Sequence, residues 1–415
     1  MTGTPEIVVR HVEGSELAAY WDVAATAFGW PDPSVDMGEW LAALADPARM
    51  LAAVEGEAIV GVAGAFPFRM TVPGGEVGAA GVTHVGVLPS HRRRRILTRL
   101  MARVLDDADA AGEPVAYLWA SEDQIYQRFG FGMAALMADM SIERDRTAFL
   151  PSELDAAPTG RVRMLEPPEA LDVLADLYEQ VRLHTPGTFV RSRVWWERHR
   201  LRDVADERHG GTRLRVAIWE THGAARAYAI WRVNQDWSSG APASRLHVYE
   251  AVGLDPVATR EIWRFVFGVD LVSRITAQHL PVDHPLQYLV AEPRRLGLKL
   301  TWPLWLRVID VPGALEGRAW PVDDGIVFEL ADRFRPANEG CWRLETGDGK
   351  GRCERTDESP DLRLSANDLG AAYLGATPLA GLARAGRVTE LTEGAVARAD
   401  ALFRWHRAPW CPEIF

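Results

Sequence analysis

Cysteine is scarce in this chain: three in 415 residues. Cys341, Cys353 and Cys411 are an odd number, and none of their spacings suits a metal. A disulfide framework and a structural metal are therefore not expected, and reduced cysteines point to a cytoplasmic protein. Long apolar runs are missing as well. Nothing approaches the ~18 uninterrupted apolar residues of a membrane span, so no membrane partner is expected. The opening "MTGTPEIVVRHVEGSE" lacks the basic-then-apolar order of an export signal. Excess positive charge is also missing, with 46 Lys and Arg against 57 Asp and Glu, a net charge of −11. Nucleic-acid binders usually carry a basic domain, so no nucleic-acid partner is expected either. An acidic balance suits a cationic small-molecule amine or a lysine-bearing protein.

Low-complexity linkers are absent too. The roughly two to four domains that this length implies are therefore expected to pack closely. Tryptophan, by contrast, is abundant at 16 residues, as in "VWWERHR" and "LTWPLWLRV". Large aromatics mostly fill cores and interfaces. Phe28, Trp30, Trp40 and Trp196 are the candidates for a second use, lining a cleft for a cationic acceptor.

Periodicity orders the chain. "SELAAYWDVAATAFGW" (15–30) has apolar residues Leu17, Trp21, Ala24 and Phe28 at helical spacing, with Ser15 as a candidate N-cap. "EAIVGVAGAFPFRMTVPGGEVGAAGVTHVGVLP" reads as β-structure turning at "VPGGEV". A helix, the strand "EPVAYLWASED" and a short helix "DQIYQRFGFG" ending at Gly130 complete a first α/β unit. A second unit opens on "GRVRMLEPPEALDVLADLYEQVRLHTPG" and loosely echoes the first. The third has short strands ("DGIVFELAD", "CWRLETGDGKGRCERT") and then helices, one of them with Thr377 as N-cap and Pro378 at its first position.

The chemistry concentrates in "LPSHRRRRILTRLM" (88–101). Ile96, Leu97, Leu100, Met101, Val104 and Leu105 form one helical face, so a helix begins beside the four arginines. Amides in a first turn lack intrahelical acceptors, and the helix dipole favours an anion there. Arginines at that end are opposed by the dipole unless a polyphosphate binds among them. A solvated positive loop and a phosphate cradle both fit these residues.

"VGVLPSHRRRRILTRLM", "ASEDQIYQRFGFG", "RSRVWWERHRLRD" and the closing "RAPWCPEIF" together resemble the enhanced intracellular survival (Eis) acetyltransferases, a family of GNAT N-acetyltransferases. The resemblance implies an α/β (α+β) fold of tandem GNAT-like domains followed by a sterol-carrier-protein-like domain. Their expected extents are 1–144, with the acetyl-CoA site; 145–300, without cofactor; and 301–415. It also implies a homo-oligomer, a hexamer. Acetyl-CoA is the implied co-substrate, with no metal. The backbone of Val85, Gly86 and Val87 would hold the pantetheine arm, and Arg93, Arg94, Arg95, Ile96, Leu97 and Thr98 the pyrophosphate. Ser121 and Glu122 would line the arm further along. Where the family pattern usually has glycine, this chain has Arg95, which can take helical dihedrals and either pair with phosphate or crowd the groove.

Acetyl transfer to an amine needs a proton donor for the departing thiolate and an acceptor for the amine proton. Tyr126 occupies the family's general-acid position; by its residues alone it fits equally an aromatic knot with Phe129 and Phe131. No Asp/His pair stands at a telling spacing. His84 is the one local candidate base, and a satisfied half-buried histidine is the alternative. The family's base is the terminal carboxylate, which here belongs to Phe415, in a stiff aromatic tail. In some family members the residue before the terminus is acidic; here it is Ile414, so either Glu413 serves a cationic substrate or no residue does. The expected function is N-acetylation of a polycationic acceptor, an aminoglycoside-like compound or a lysine side chain. The rival is a non-catalytic acyl-CoA sensor or lipid-binding protein.

Overall fold

A computed structural model describes residues 6–30, 40, 43–152, 160–238, 240 and 243–415, apart from the side chain of residue 302. The chain forms two compact units. Unit 1 comprises Met1–Ala135, Pro303–His406 and Ile414–Phe415, and unit 2 comprises Leu136–Trp302 and Arg407–Glu413.

The first segment runs β1 (Ile7–His11), α1 (Leu17–Phe28), β2 (Met50–Glu55), β3 (Ala58–Val72), β4 (Gly75–Val87), α2 (Ile96–Ala110), β5 (Val115–Trp119), α3 (Asp123–Gln127) and the start of β6 (Gly132–Glu143). Pro73 and Gly74 make the β3–β4 turn, where Gly74 has φ +62°. Ser15 does not cap α1. A capping box between Glu13 and Glu16 opens the 3₁₀ turn just ahead of it. Gly29, at φ +66°, ends α1 with its N–H bonded to the Ala25 carbonyl. One face of α2 is buried as its pattern demands: Ile96, Leu100, Met101, Val104, Leu105 and Ala108. They pack with Leu51, Ala63, Val82, Leu118 and Phe129 into one core.

Unit 2 contains β7 (Arg161–Leu165), α4 (Pro167–Arg182), β8 (Arg215–Thr221), β9 (Ala224–Asn234), β10 (Ser244–Gly253), α5 (Pro256–Phe267) and β11 (Val272–Pro281). Its strands run in the order β6-β11-β10-β9-β8-β7. Trp219, Trp231, Trp263 and Phe267 fill its core.

The third segment returns to unit 1. Residues 304–308 of β12 (Lys299–Val308) pair antiparallel with β5, extending a sheet ordered β1-β2-β3-β4-β5-β12. After α6 (Val311–Glu316), a second sheet gathers β13 (Asp324–Ala331), β14 (Gly340–Gly347), β15 (Lys350–Arg355), β16 (Leu362–Ser365) and β17 (Thr389–Glu390), in the order β15-β14-β13-β16-β17. Helices α7 (Ala366–Ala372), α8 (Leu379–Arg384) and α9 (Ala395–Phe403) complete it. Thr377 does not cap α8; its hydroxyl donates instead to the Met133 carbonyl at 2.9 Å, and Pro378 takes the cap position. Buried polar groups tie this segment to the α3 region. Arg307 donates to the Phe129 carbonyl and pairs with Asp332 at 2.5 Å, and Asn367 Nδ2 donates to the carbonyls of Gln127 and Phe131, each at 2.7 Å.

Candidate active site

Two neighbouring parallel strands part company in unit 1. β4 pairs with β5 at Ala79↔Val115, Ala80↔Ala116 and Gly81↔Tyr117. Among the described residues no β4–β5 pair lies beyond Gly81↔Tyr117, although β4 runs on to Val87 and β5 to Trp119. On their other edges both strands stay paired, Val87 with Gly61 and Trp119 with Leu304. The inner edges therefore face each other as an open fork, with backbone donors and acceptors available to an added strand-like ligand. Val85, Gly86 and Val87 lie along one prong. A side chain at Gly86 would meet Ala27 at 2.7 Å, so glycine allows α1 to pack close behind this prong.

Beyond Val87 the chain makes a 3₁₀ turn at Pro89–His91 and enters α2. No side chain caps α2, which leaves the first-turn amides of Ile96, Leu97 and Thr98 uncapped. Arg94 is tethered to Glu55 at 2.5 Å, and His91 reaches the other oxygen of the same carboxylate at 3.0 Å. Hydrogen bonds from Arg94 and then His91 hold the Glu55 carboxyl below its ordinary range. The Arg94 side chain is thus already engaged. Arg92, Arg93, Arg95 and Arg99 pair with no carboxylate among the described residues. Arg95 does not adopt helical dihedrals. Its φ of +59° and ψ of +17° are left-handed, as is φ +63° at Arg93. Glycine takes that conformation freely, whereas a side chain is strained in it.

Unit 2 handles its own strand-to-helix turn differently. At the N-terminus of α5, Asp255 accepts from the Ala258 N–H at 2.8 Å, and Arg226 binds the same carboxylate at 2.8 Å. Burial would raise the Asp255 carboxyl, but these donors outweigh it and hold the group low. The helix end already carries an anion, so a phosphate there would meet a fixed negative charge.

Tyr126 sits on α3 with 6% of its surface exposed, and its ring is 6.0 Å from that of Phe131. Burial, aided by Glu122, pushes its hydroxyl up to about 12, so it stays protonated at neutral pH. Ser121 and Glu122 are exposed just before α3. The Phe415 ring seats at the crotch of the fork, edge-on to Tyr117 at 4.8 Å and to Phe68 at 5.2 Å. Gly81 makes room: a Cβ there would lie 3.1 Å from the Phe415 ring and 2.4 Å from that of Phe68.

Aromatic residues from α1 and its neighbourhood gather around His84. Phe28 stacks on Trp30 at 4.6 Å, Trp30 stacks on Trp21 at 5.3 Å, and Trp40 stands edge-on to Trp21 at 6.1 Å. Trp30 remains 41% exposed. The structure brings Phe28, Trp30 and Trp40 together as candidates.

Two other candidates are occupied. Trp196 is buried in unit 2, edge-on to Tyr178 and beneath the Arg191 guanidinium, so its faces are already used. Glu413 is fully buried there, paired with Arg191 at 2.7 Å and accepting from the Trp195 indole. Arg191 also binds Glu250 at 2.6 Å. Burial alone would raise the Glu250 carboxyl, but Arg191 and Arg200 hold it at about 2. Glu413 thus neutralises a buried arginine, and no side of it is left for a cationic substrate. Sequence reasoning missed Tyr20, Trp21 and Phe66 around His84. The only signal for them was aromatic composition, which does not say which rings meet.

Residues 8–134 match an acetyltransferase (GNAT) domain family, 187–308 a second acetyltransferase (GNAT) domain family, and 311–412 a sterol carrier protein domain. An uncharacterized N-acetyltransferase of Streptomyces avermitilis is 40% identical over 411 residues, 98% of this chain and 99% of its own. The N-acetyltransferase Eis of Mycobacterium tuberculosis is 33% identical over 354 residues, 84% of each chain. The chain belongs to the Eis family of GNAT N-acetyltransferases. The crystal structure of Eis1 from Mycobacterium abscessus matches it with a TM-score of 0.85 at 32% identity, covering 98% of this chain and all of that one. As in other GNAT enzymes, acetyl-CoA is the co-substrate of this Eis-family acetyltransferase. The fork, the close-packed Gly86 and the uncapped α2 terminus, beside arginines that pair with no carboxylate among the described residues, fit an extended pantetheine arm joined to a pyrophosphate.

Proposed function

We propose that this Eis-family enzyme acetylates a cationic amine, small molecule or lysine side chain, at the β4–β5 fork of unit 1. The observation that carries this is the Phe415 ring locked against Tyr117 at the crotch of the fork, beside the prong that holds Val85–Val87. The α2 amides and the neighbouring arginines hold the pyrophosphate, and the prong backbone holds the pantetheine arm. The exposed part of Trp30 and its aromatic neighbours receive the acceptor. The Phe415 carboxylate takes a proton as the amine nitrogen bonds to the acetyl carbon and the C–S bond breaks. The Tyr126 hydroxyl donates to the departing sulfur. A free thiol has a pKa near 8.5. With its own pKa near 12, Tyr126 acts by holding a hydrogen bond to the sulfur as negative charge grows, since complete transfer is uphill.

An amine-panel assay with acetyl-CoA and thiol detection tests this reading. Thiol release that depends on the amine is expected, and none across mono- and polyamines overturns it. The lipid-carrier alternative is poorly supported. The apolar cavity bounded by Ile326, Phe328, Leu362, Leu364, Leu369 and Phe403 measures ≈ 10 Å³. That is about enough for one water molecule.

A further inference from the structure

Among the described residues of unit 1, the Tyr20 hydroxyl, Trp21 Nε1 and His84 Nδ1 are among the buried polar atoms that lack a hydrogen-bond partner. They belong to one cluster. The His84 ring lies 5.9 Å from that of Tyr20 and 5.3 Å from that of Trp21, edge-on to both. Trp30 and Trp40 at 6.3 Å and Phe66 at 6.4 Å stand round the same imidazole. Buried polar groups are nearly always satisfied, so three orphans around one ring call for an occupant.

The backbone supports the same conclusion. Val62 pairs with Gly86 and Gly64 with Thr83, so His84 and Val85 together oppose Ala63 in a β-bulge. His84 holds φ +52° there, left-handed backbone that a residue with a side chain resists. Bulges and such strain collect where a side chain must be aimed.

The donor inventory narrows the occupant. Trp21 Nε1 can only donate, and the Tyr20 hydroxyl donates or accepts. Burial keeps His84 uncharged, with its pKa at about 4, so with its proton on Nε2 it accepts at Nδ1. A bare ammonium has no acceptor for the Trp21 N–H. A carboxylate would be repelled by the surrounding ring faces. A group that both accepts and donates satisfies all three.

We propose that Tyr20, Trp21 and His84 form a subsite for one hydroxyl group, supplied either by a resident water or by an amino-alcohol acceptor. The group accepts from Trp21 and donates to His84 Nδ1. The acceptor arm rests on the acetyltransferase reading above; the water arm does not.

Two measurements on the full chain decide it. The first compares kcat/KM for ethanolamine and propylamine in the wild type, His84→Phe and Tyr20→Phe. A wild-type preference for ethanolamine of about tenfold or more, the worth of one well-placed hydrogen bond, is expected if the acceptor supplies the hydroxyl. That preference then shrinks to within about twofold in His84→Phe, which exchanges the imidazole for a ring with no acceptor. The second is a high-resolution crystal structure of the unliganded wild type. An ordered water bonded to Trp21 Nε1 and His84 Nδ1, with no preference between the amines, assigns the site to water. Absence of both the preference and the water overturns the proposal. If neither amine is acetylated, the electron density alone decides, so failure of the subsite and failure of the acetyltransferase reading remain distinguishable.

Discussion

The rings of Phe415 and Tyr117 meet edge-on, with centroids 4.8 Å apart and planes inclined at 67°. Tyr117 is the β5 member of the last β4–β5 pair among the described residues, opposite Gly81. The side chain of Phe415 is thereby anchored where the two strands separate. If its carboxylate is the base, anchor and base are separable by mutation. Residues added after Phe415 turn the carboxylate into an amide, and thiol release should fall to background, while the same tag ahead of Met1 should be harmless. Phe415→Ala keeps a carboxylate without its anchor. Its turnover should fall on the order of 10²-fold, the penalty of a group misplaced by about 1 Å. Full activity in the extended protein would remove Phe415 from the mechanism.

Arg95→Gly should leave acetyl-CoA binding intact or tighter. A left-handed residue with a side chain is strained by about 1–2 kcal/mol, and glycine removes that strain. The larger entropy of glycine in the unfolded chain offsets roughly 0.5–1 kcal/mol of the gain. Melting temperature should therefore hold or rise slightly. Arg93→Glu should weaken binding on the order of tenfold at low salt and less at high salt, since screening blunts exposed charges. Calorimetric titration checks both. Lost binding in Arg95→Gly would make that guanidinium a direct phosphate ligand.

Tyr126→Phe removes one hydroxyl and keeps the ring against Phe131. The variant should fold and bind acetyl-CoA normally, with kcat lower by a factor on the order of 10²–10⁴. Because burial holds the wild-type hydroxyl near 12, Tyr126 should cause no loss of activity up to pH 9. Unchanged turnover in the variant would leave Tyr126 as a packing residue.

Glu413→Ala should act on stability. Arg191 would keep Glu250 and lose its second counter-charge inside unit 2. Breaking a buried pair from one side typically costs about 3–5 kcal/mol. A large drop in melting temperature is expected, read by calorimetry. A variant that melts like the wild type would contradict the buried pairing.

His84 should make the fold sensitive to acid. Its pKa is about 4 in the fold, against about 6.5 when exposed. As pH falls below 6.5, the unfolded chain takes up a proton that the folded imidazole refuses until about pH 4. Stability is therefore lost across that window, on the order of 3 kcal/mol at its lower end. His84→Phe should lack this part of the loss. Melting temperatures of the two proteins at pH 7 and pH 4.5 test it, and parallel curves would show that the histidine is not held neutral.

Short-range features were legible in the residues. The apolar spacing from Ile96 to Leu105 defined the buried face of α2, "VPGGEV" marked a hairpin, and Gly130, at φ +82°, closes the turn after Tyr126. Each depends on neighbours within a few positions, where helical and strand periodicity operate. The caps were harder to read. Ser15 and Thr377 are good cap residues, yet Glu13 with Glu16 opens one turn and the Thr377 hydroxyl goes to Met133 instead. Competing local partners of similar strength decide such cases.

By itself, then, the sequence determined the family, the buried face of α2 and the place of Tyr126 on a short helix. Tertiary structure decided the rest. Trp195 bonds Glu413 across 218 residues of sequence, and that burial converts an apparent substrate carboxylate into a counter-ion for Arg191. The left-handed turn at Arg95 and the ring of aromatics around His84 were equally invisible. The physical reason is that periodicity reports which face of an element is apolar. Which buried charge meets which, and which polar atom is left without a partner, depends on how distant elements pack.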